Sequence, residues 1–64
     1  MLDGKKVRQA RLDLGLSQHE LGDFAGVTGV AIGNVELEKA TVKLMTAKKI
    51  AERLGVTIDY LLKD

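Results

Sequence analysis

Ser17 and His19 are the residues whose types and spacing come nearest to nucleophilic catalysis, with the serine as nucleophile and the histidine as base. They stand two positions apart, and residues at that separation on a helix point to different sides. No orienting carboxylate converges with them. Ser17 is also the only serine and is better explained as a helix cap. We therefore expect no catalytic residue and no enzyme activity, and we interpret His19 as a solvated surface histidine.

Composition limits the other kinds of site. The 64 residues include no cysteine and one histidine, too few for a disulfide or a zinc cluster. The lack of cysteine fits a reducing cytoplasm, and no run approaches the ~18 apolar residues of a membrane span. The net charge is +1, so nucleic-acid binding requires the ten Lys and Arg to be arranged on one face. We expect a cytoplasmic protein without metal, small-molecule cofactor or membrane partner.

Glycines and small capping residues divide the chain into five predicted helices, and no segment alternates apolar and polar residues over strand length. Ser17 and Glu20 form a capping box at the start of the second helix, and we expect Leu21, Phe24 and Ala25 to supply the apolar face of that helix. Thr28 and Thr57 cap the third and fifth helices, and Gly55 ends the fourth. The prediction is an all-α, compact five-helix domain over residues 1–64. Its helices run from Gly4 to Leu14, from Gln18 to Ala25, from Gly29 to about Leu37, from about Leu44 to Leu54, and over a short segment carrying Ile58, Leu61 and Leu62.

The second and third predicted helices have the geometry of a helix-turn-helix. Each has about eight residues, and three residues around Gly26 join them. In this motif the second helix is presented to the major groove of DNA. Gly22 lies inside the first helix of the pair, where glycine costs about 1 kcal/mol relative to alanine. We therefore expect a close helix crossing at Gly22 and a positive φ at Gly26.

The outer face of the third helix is the candidate reading surface. Val30 can pack on a thymine methyl group, and Asn34 is the amide on this face. Gly33 has no side chain with which to read bases, but it lets the backbone approach closely. Helical geometry assigns five residues to this face: Gly29, Val30, Gly33, Asn34 and Leu37.

A set of residues between Val7 and Leu62 matches a known family in one register without a gap. The matching residues are Gly15, Leu16, Ser17, Gln18, Glu20, Leu21, Gly26, Val27, Thr28, Ile32, Val35, Glu36, Lys49, Ile50, Ala51, Leu54, Gly55, Val56, Asp59, Leu61 and Leu62. With them the chain resembles the Cro/C1-type (Xre-like) helix-turn-helix repressors. The resemblance implies a lambda-repressor-like fold, sequence-specific binding to double-stranded DNA, a homodimer and no catalysis.

The resemblance also implies roles for single residues. Gln18, at the start of the second helix, is expected to contact a phosphate or a base edge. Thr28 is expected to cap the third helix and to touch DNA. Arg11 and Glu36 resemble a partly buried ion pair between the first helix and the end of the third, with a structural role.

The chain departs from that family near the end of the third helix. Leu37 and Glu38 stand where the family usually has Asn-Gly, and Glu38 is unfavourable beside phosphate. The outer face also lacks the Arg, Gln and Ser that are common there. Lys39 lies in a loop where the family often has a phosphate-binding residue, and Lys43 is nearby, so both are expected phosphate contacts. The other basic residues considered are interpreted as solvated surface: Lys5, Lys6, Arg8, Lys48, Lys49 and Arg53.

An alternative of another class is a protein-interaction module on the same scaffold, antitoxin-like or adaptor-like, with weak or absent DNA binding. Its basis is the outward-facing pair Val30 and Leu37, because exposed aliphatic residues on one helix face can mark a groove for a partner. The effect of Asn34→Ala and Val30→Asp on DNA binding distinguishes the two functions.

Overall fold

Five helices form the fold, and the computed structural model describes residues 1–64. They are α1 (Gly4–Asp13), α2 (Gln18–Ala25), α3 (Gly29–Glu36), α4 (Leu44–Leu54) and α5 (Ile58–Leu61). The bounds of α2 and α4 are the predicted ones, whereas α1 and α3 each end one residue earlier. No helix is both long enough and apolar enough to cross a membrane.

Side-chain caps explain where α2, α3 and α5 begin, whereas α4 begins without one. The Ser17 hydroxyl accepts a hydrogen bond from the Glu20 amide at 2.9 Å, and the Glu20 carboxylate accepts one from the Ser17 amide at 2.9 Å. The hydroxyls of Thr28 and Thr57 accept from backbone amides three residues later, each at 3.1 Å. Since each cap satisfies a backbone donor that the helix leaves free, these residues fix the first turns of α2, α3 and α5.

The turn between α2 and α3 depends on two glycines. Gly26 ends α2 with φ +79°, the left-handed conformation predicted for it. At Gly22, a Cβ atom would lie 2.6 Å from the Val27 carbonyl oxygen and 3.0 Å from the Thr28 carbonyl. The close approach expected at Gly22 is therefore present, but the neighbour is the backbone of the turn rather than a crossing helix.

One cluster of twelve buried apolar residues forms the core. All five helices contribute to it, and its largest fully buried side chains are Leu21, Ile32, Ile50, Leu61 and Val7. Phe24 was expected on the inner face of α2, but its side chain is 44% exposed. The prediction was wrong because Leu21, Gly22 and Ala25 already fill the buried side of this short helix.

The two ends of the chain are paired. Leu2 and Leu62 form an isolated antiparallel bridge, so Leu62 lies beyond α5 rather than within it. The Asp3 amide donates to the Leu61 carbonyl at 2.6 Å, and the Lys63 amide donates to the Met1 carbonyl at 3.0 Å. This pairing holds the N-terminus of α1 beside the C-terminus of α5.

Candidate nucleic-acid interface

A shallow concavity runs along the outer side of α3. It brings together four of the predicted contact residues, Gln18, Val30, Gly33 and Asn34. Leu37 and Glu36 close it at the C-terminal end of α3, and Arg8 of α1 borders it. Residues from three helices therefore form one continuous surface beside α3.

Apart from Glu36, the α3 residues of this surface carry no charge. Ile32 and Val35 are buried on the inner side of the helix, so the residues between them face outward. Val30 is 75% exposed and Leu37 is 66% exposed. Asn34 is the amide beside them. This combination suits a surface that offers methyl groups and a hydrogen-bonding edge, such as thymine and adenine in the major groove.

Gln18 lies across the middle of α3 because Gly33 leaves room for it. A Cβ atom at Gly33 would lie 3.3 Å from the Gln18 side-chain nitrogen. That nitrogen, Nε2, donates a hydrogen bond to Oε1 of Glu36 at 3.2 Å. The contact holds the Gln18 amide group at the concavity instead of leaving it to move freely in solvent.

Glu36 is the centre of a buried polar network. Its Oε2 accepts from Nε of Arg11 at 2.7 Å, and its Oε1 accepts from Nη2 of Arg11 at 3.1 Å. Arg11 Nη1 donates to the Leu16 carbonyl at 2.8 Å. The Arg11 and Glu36 side chains are 8% and 3% exposed, and no buried polar side-chain atom lacks a partner. Because Gln18 also bonds Glu36, the network fixes α1, α2 and α3 relative to one another.

Thr28, which caps α3, and Gly29, its first residue, face different surroundings. Thr28 is exposed, and its hydroxyl oxygen accepts from the Ala31 amide, so its hydrogen remains able to donate outward. Gly29 was expected on the outer face. Instead a Cβ at Gly29 would lie 3.1 Å from Cα of His19, so this residue packs against the start of α2. The tight approach of the two helices there accounts for the difference.

The loop after α3 carries Lys39 and Lys43, which are exposed, form no ion pair and lie outside the concavity. Glu38 has φ +58°, a left-handed conformation that is uncommon for residues other than glycine. Its carboxylate accepts from the Gly4 amide at 3.0 Å and pairs with the Lys63 ammonium. The bond from Lys63 and then the bond from Gly4 hold the pKa of Glu38 below its ordinary value. The charge that was expected to oppose phosphate is thus largely offset within the chain.

Arg8 was interpreted from the sequence as part of a solvated face, yet it borders the concavity. It precedes Arg11 by three residues, a spacing that places both on one side of α1. Because Arg11 reaches the end of α3, that spacing is the signal that pointed to Arg8. His19 is exposed, as expected, with its Nε2 3.4 Å from a carboxylate oxygen of Asp23. No group of three or more potential metal ligands is present.

Comparison with known proteins places this geometry in a family. The Helix-turn-helix family model HTH_3 matches residues 7–61. A curated relative, the SPbeta prophage-derived uncharacterized HTH-type transcriptional regulator YonR of Bacillus subtilis (strain 168), is 38% identical over 60 residues. The match covers 94% of this chain but 56% of YonR, so the chain spans about half the length of that relative.

Solved structures share the fold. The P22 c2 repressor, in a crystal structure with a synthetic operator, aligns with a TM-score of 0.92 and 32% identity over 98% of this chain and 96% of the repressor. SinR in its complex with SinI aligns with a TM-score of 0.85 and 26% identity, covering 100% of this chain and 62% of that one. The N-terminal DNA-binding domain of SinR from Bacillus subtilis aligns with a TM-score of 0.81 and 25% identity over 98% of this chain and 93% of that domain. The family match and these likenesses agree with the five helices and the exposed face of α3: the chain belongs to the Cro/C1-type helix-turn-helix family.

Proposed function

We propose that this chain is a sequence-specific, double-stranded-DNA-binding transcriptional regulator, acting as a repressor in the cytoplasm, that places α3 in the major groove. The observation that carries the proposal is the outer surface of α3. It joins two strongly exposed aliphatic side chains to the amides of Asn34 and Gln18. Folding alone does not require that surface, whereas the edges of A·T base pairs complement it.

Base reading is assigned to Val30 and Asn34. The Val30 side chain, which projects into solvent, would cover the methyl group of a thymine. The Asn34 amide would pair with an adenine edge, the arrangement in which an amide makes two hydrogen bonds to one base. Gly33 leaves the space in which the Gln18 side-chain amide lies over α3, beside the base-reading residues. We expect each correct base contact to contribute about 1–3 kcal/mol of discrimination.

Phosphate contacts set the register of α3 in this proposal. The Thr28 hydroxyl and the Gln18 amide lie at the N-terminal ends of α3 and α2, where the partial positive charge of a helix favours anions. Lys39 and Lys43 supply full charges from the following loop. These contacts add affinity that is independent of sequence and sensitive to salt.

A homodimer follows from the energy that one α3 can supply. Specific sites are typically bound about 4–10 kcal/mol more tightly than other DNA, whereas two base-reading residues at about 1–3 kcal/mol each provide about 2–6 kcal/mol, which reaches only the lower part of that range. Two copies would place their α3 helices in successive major grooves about 34 Å apart. An apolar groove of about 220 Å³, bordered by Met1, Leu2, Val42, Leu44 and Leu62, is the surface we assign to the second copy.

Selection of bound sequences from random duplex DNA, repeated at two salt concentrations, tests the proposal. We expect a palindromic sequence whose half-sites are one helical turn apart and contain an A·T pair at the position read by Val30. Failure to enrich any duplex at low salt would contradict the proposal.

Two variants of the reading surface separate this function from the alternative. Asn34→Ala and Val30→Asp should both reduce binding to the selected operator by about fivefold to 150-fold, from the loss of about 1–3 kcal/mol. Tyr60→Asp is a matched control, because Tyr60 is 51% exposed on α5 and the change adds the same charge away from α3 and from Lys39 and Lys43. All three variants should keep the wild-type melting temperature.

The second candidate function is a protein-interaction module, which the exposure of Val30 and Leu37 also favours. SinR, a structural neighbour, was solved in complex with SinI. In this case wild-type protein would bind no duplex, and Val30→Asp would disrupt a complex with a protein. Titration of the wild-type chain with duplex DNA before any mutagenesis decides between the two functions.

A further inference from the structure

Arg8 and Arg11 lie on the same side of α1, but they differ in burial and in their partners. Arg11 is buried, and its guanidinium is held by the Glu36 carboxylate and the Leu16 carbonyl. Arg8 is exposed and forms no ion pair with any carboxylate of the chain. Its charge is therefore not used to hold the fold together.

Arg8 borders the concavity that contains Gln18, Val30 and Asn34. It meets that surface near Glu36 and Leu37, at the C-terminal end of α3. A second polar concavity next to it also includes Arg8, and its lining is of mixed charge, with the cations Lys5 and Lys63 beside the carboxylates of Asp3, Glu36 and Glu38. Arg8 thus lies between the reading surface and a concavity in which Glu36 and Glu38 are paired with Arg11 and Lys63.

The C-terminal end of α3 is poorly suited to an anion without such a cation. Helix carbonyl groups give this end a partial negative charge, and the exposed α3 residues there are uncharged. The nearby Glu38 carboxylate is offset by Lys63 and the Gly4 amide, which leaves Lys63 committed to that pair. Arg8 is the cation without an ion pair that borders this end of the reading surface.

We propose that Arg8 is a DNA-contacting residue whose guanidinium binds a backbone phosphate beside the C-terminal end of α3. The inference rests on the proposed function and extends its footprint to α1. In a docked helix-turn-helix the N-terminal residues of the recognition helix reach the base edges. A group on α1 beside the other end of α3 therefore meets the backbone, and a guanidinium binds phosphate through two parallel hydrogen bonds.

The test measures the affinity of Arg8→Met, Arg8→Lys and Lys49→Met for the selected operator and for an unrelated duplex of equal length at several salt concentrations. Arg8→Met should weaken binding to both duplexes by a similar factor, roughly tenfold per subunit. The slope of log K against log salt should become shallower by about 0.9 per subunit. Arg8→Lys should keep the wild-type slope but only part of the affinity, because an ammonium keeps the charge and cannot make the two parallel hydrogen bonds of a guanidinium.

Lys49→Met is the matched control because it removes the same charge at a distant site. Lys49 is exposed on the side of α4 opposite the buried residues of that helix. This variant should leave affinity and slope unchanged. Equal affinities and slopes for wild type and Arg8→Met would overturn the phosphate assignment, as would a loss of affinity for the operator without a loss for the unrelated duplex. If the wild-type protein binds no duplex at all, the proposed function itself fails. If the wild-type protein binds and Arg8→Met binds equally well, only the assignment of Arg8 fails. Equal melting temperatures would show that the variants are folded.

Discussion

The residues on the two sides of α3 are explained by different interactions. On the inner side Ile32 is fully buried, Val35 is 3% exposed and Glu36 is held by Arg11, so packing and charge pairing decide every residue. On the outer side Val30 and Leu37 are exposed and Asn34 lies beside them. The fold thus requires the residues on the inner side of α3 but not those on the outer side, which we explain by what that side binds. Changes on the inner side should therefore affect stability, and changes on the outer side should affect binding.

The largest effect is expected at Glu36. Glu36→Leu leaves the buried Arg11 charge without its partner, which typically costs about 3–5 kcal/mol. That loss is comparable with the entire stability supplied by the core of a domain of this size. Urea unfolding followed by circular dichroism measures it.

The double variant Arg11→Met/Glu36→Leu is the control for this prediction. It removes both charges, so it should be more stable than Glu36→Leu alone. A single variant within 1 kcal/mol of wild type would show that the buried pair does not hold α1 and α3 together.

The next effect is expected at the turn between α2 and α3. Gly22→Ala would place a Cβ 2.6 Å from the Val27 carbonyl oxygen, and the backbone must move to accommodate it. We expect a loss of about 1–3 kcal/mol in the free energy of unfolding. Thermal and urea unfolding would measure it, and a gain in stability would contradict the close approach seen at this position.

A glycine-to-alanine change on the outer side of α3 should raise the free energy of unfolding instead of lowering it. Gly33→Ala places its Cβ against the end of the Gln18 side chain, which can move, and alanine is favoured over glycine within a helix by about 1 kcal/mol. We expect stability to rise by up to about that amount while affinity for the operator falls. Parallel urea unfolding and DNA titration would show this split, whereas a fall in both quantities would place Gly33 with the inner residues.

The smallest change in stability is expected on loss of the pairing between Glu38 and Lys63. The pKa of Glu38 lies below its ordinary value and that of Lys63 above, first because of the hydrogen bond between them. The Glu38 contribution is therefore present above the carboxyl pKa of the unfolded chain and is lost as the pH falls through the folded value.

Glu38→Gln lacks that contribution at every pH. Wild type should melt at the higher temperature near pH 7, and the difference between the two proteins should shrink as the pH falls below about 4. Melting temperatures measured between pH 3 and pH 7 check this. A difference that stays constant or grows at low pH would contradict the carboxylate pairing.

Local signals explain why most of the fold was predictable. Ser17 with Glu20, Thr28 and Thr57 are caps that a single helix turn defines, and Gly26 and Gly55 end helices through their own backbone conformation. These interactions span three or four residues. Because such signals lie within one short stretch of sequence, they predict both ends of α2 and the C-terminal end of α4. The start of α4 has no side-chain cap, and only the apolar period indicates it.

Contacts between distant residues could not be obtained in this way. The Leu2–Leu62 bridge and the bond from the Gly4 amide to Glu38 join positions that no periodicity relates. The exposure of Phe24 depends on how much of α2 its neighbours cover. At the candidate site, Gln18, Val30, Gly33 and Asn34 were predictable from the register of the motif. Arg8 was missed although its spacing from Arg11 was a signal, because that signal has meaning only once α1 is known to pack against the end of α3.

The salt dependence of binding to duplex DNA tests the central claim most directly, namely that the outer surface of α3 docks in the major groove with phosphates on either side. With about four to eight phosphates neutralised by a dimer, log K for the selected operator should fall with log salt at a slope of about −4 to −7. A slope near zero, or no affinity for any duplex at low ionic strength, would contradict the account.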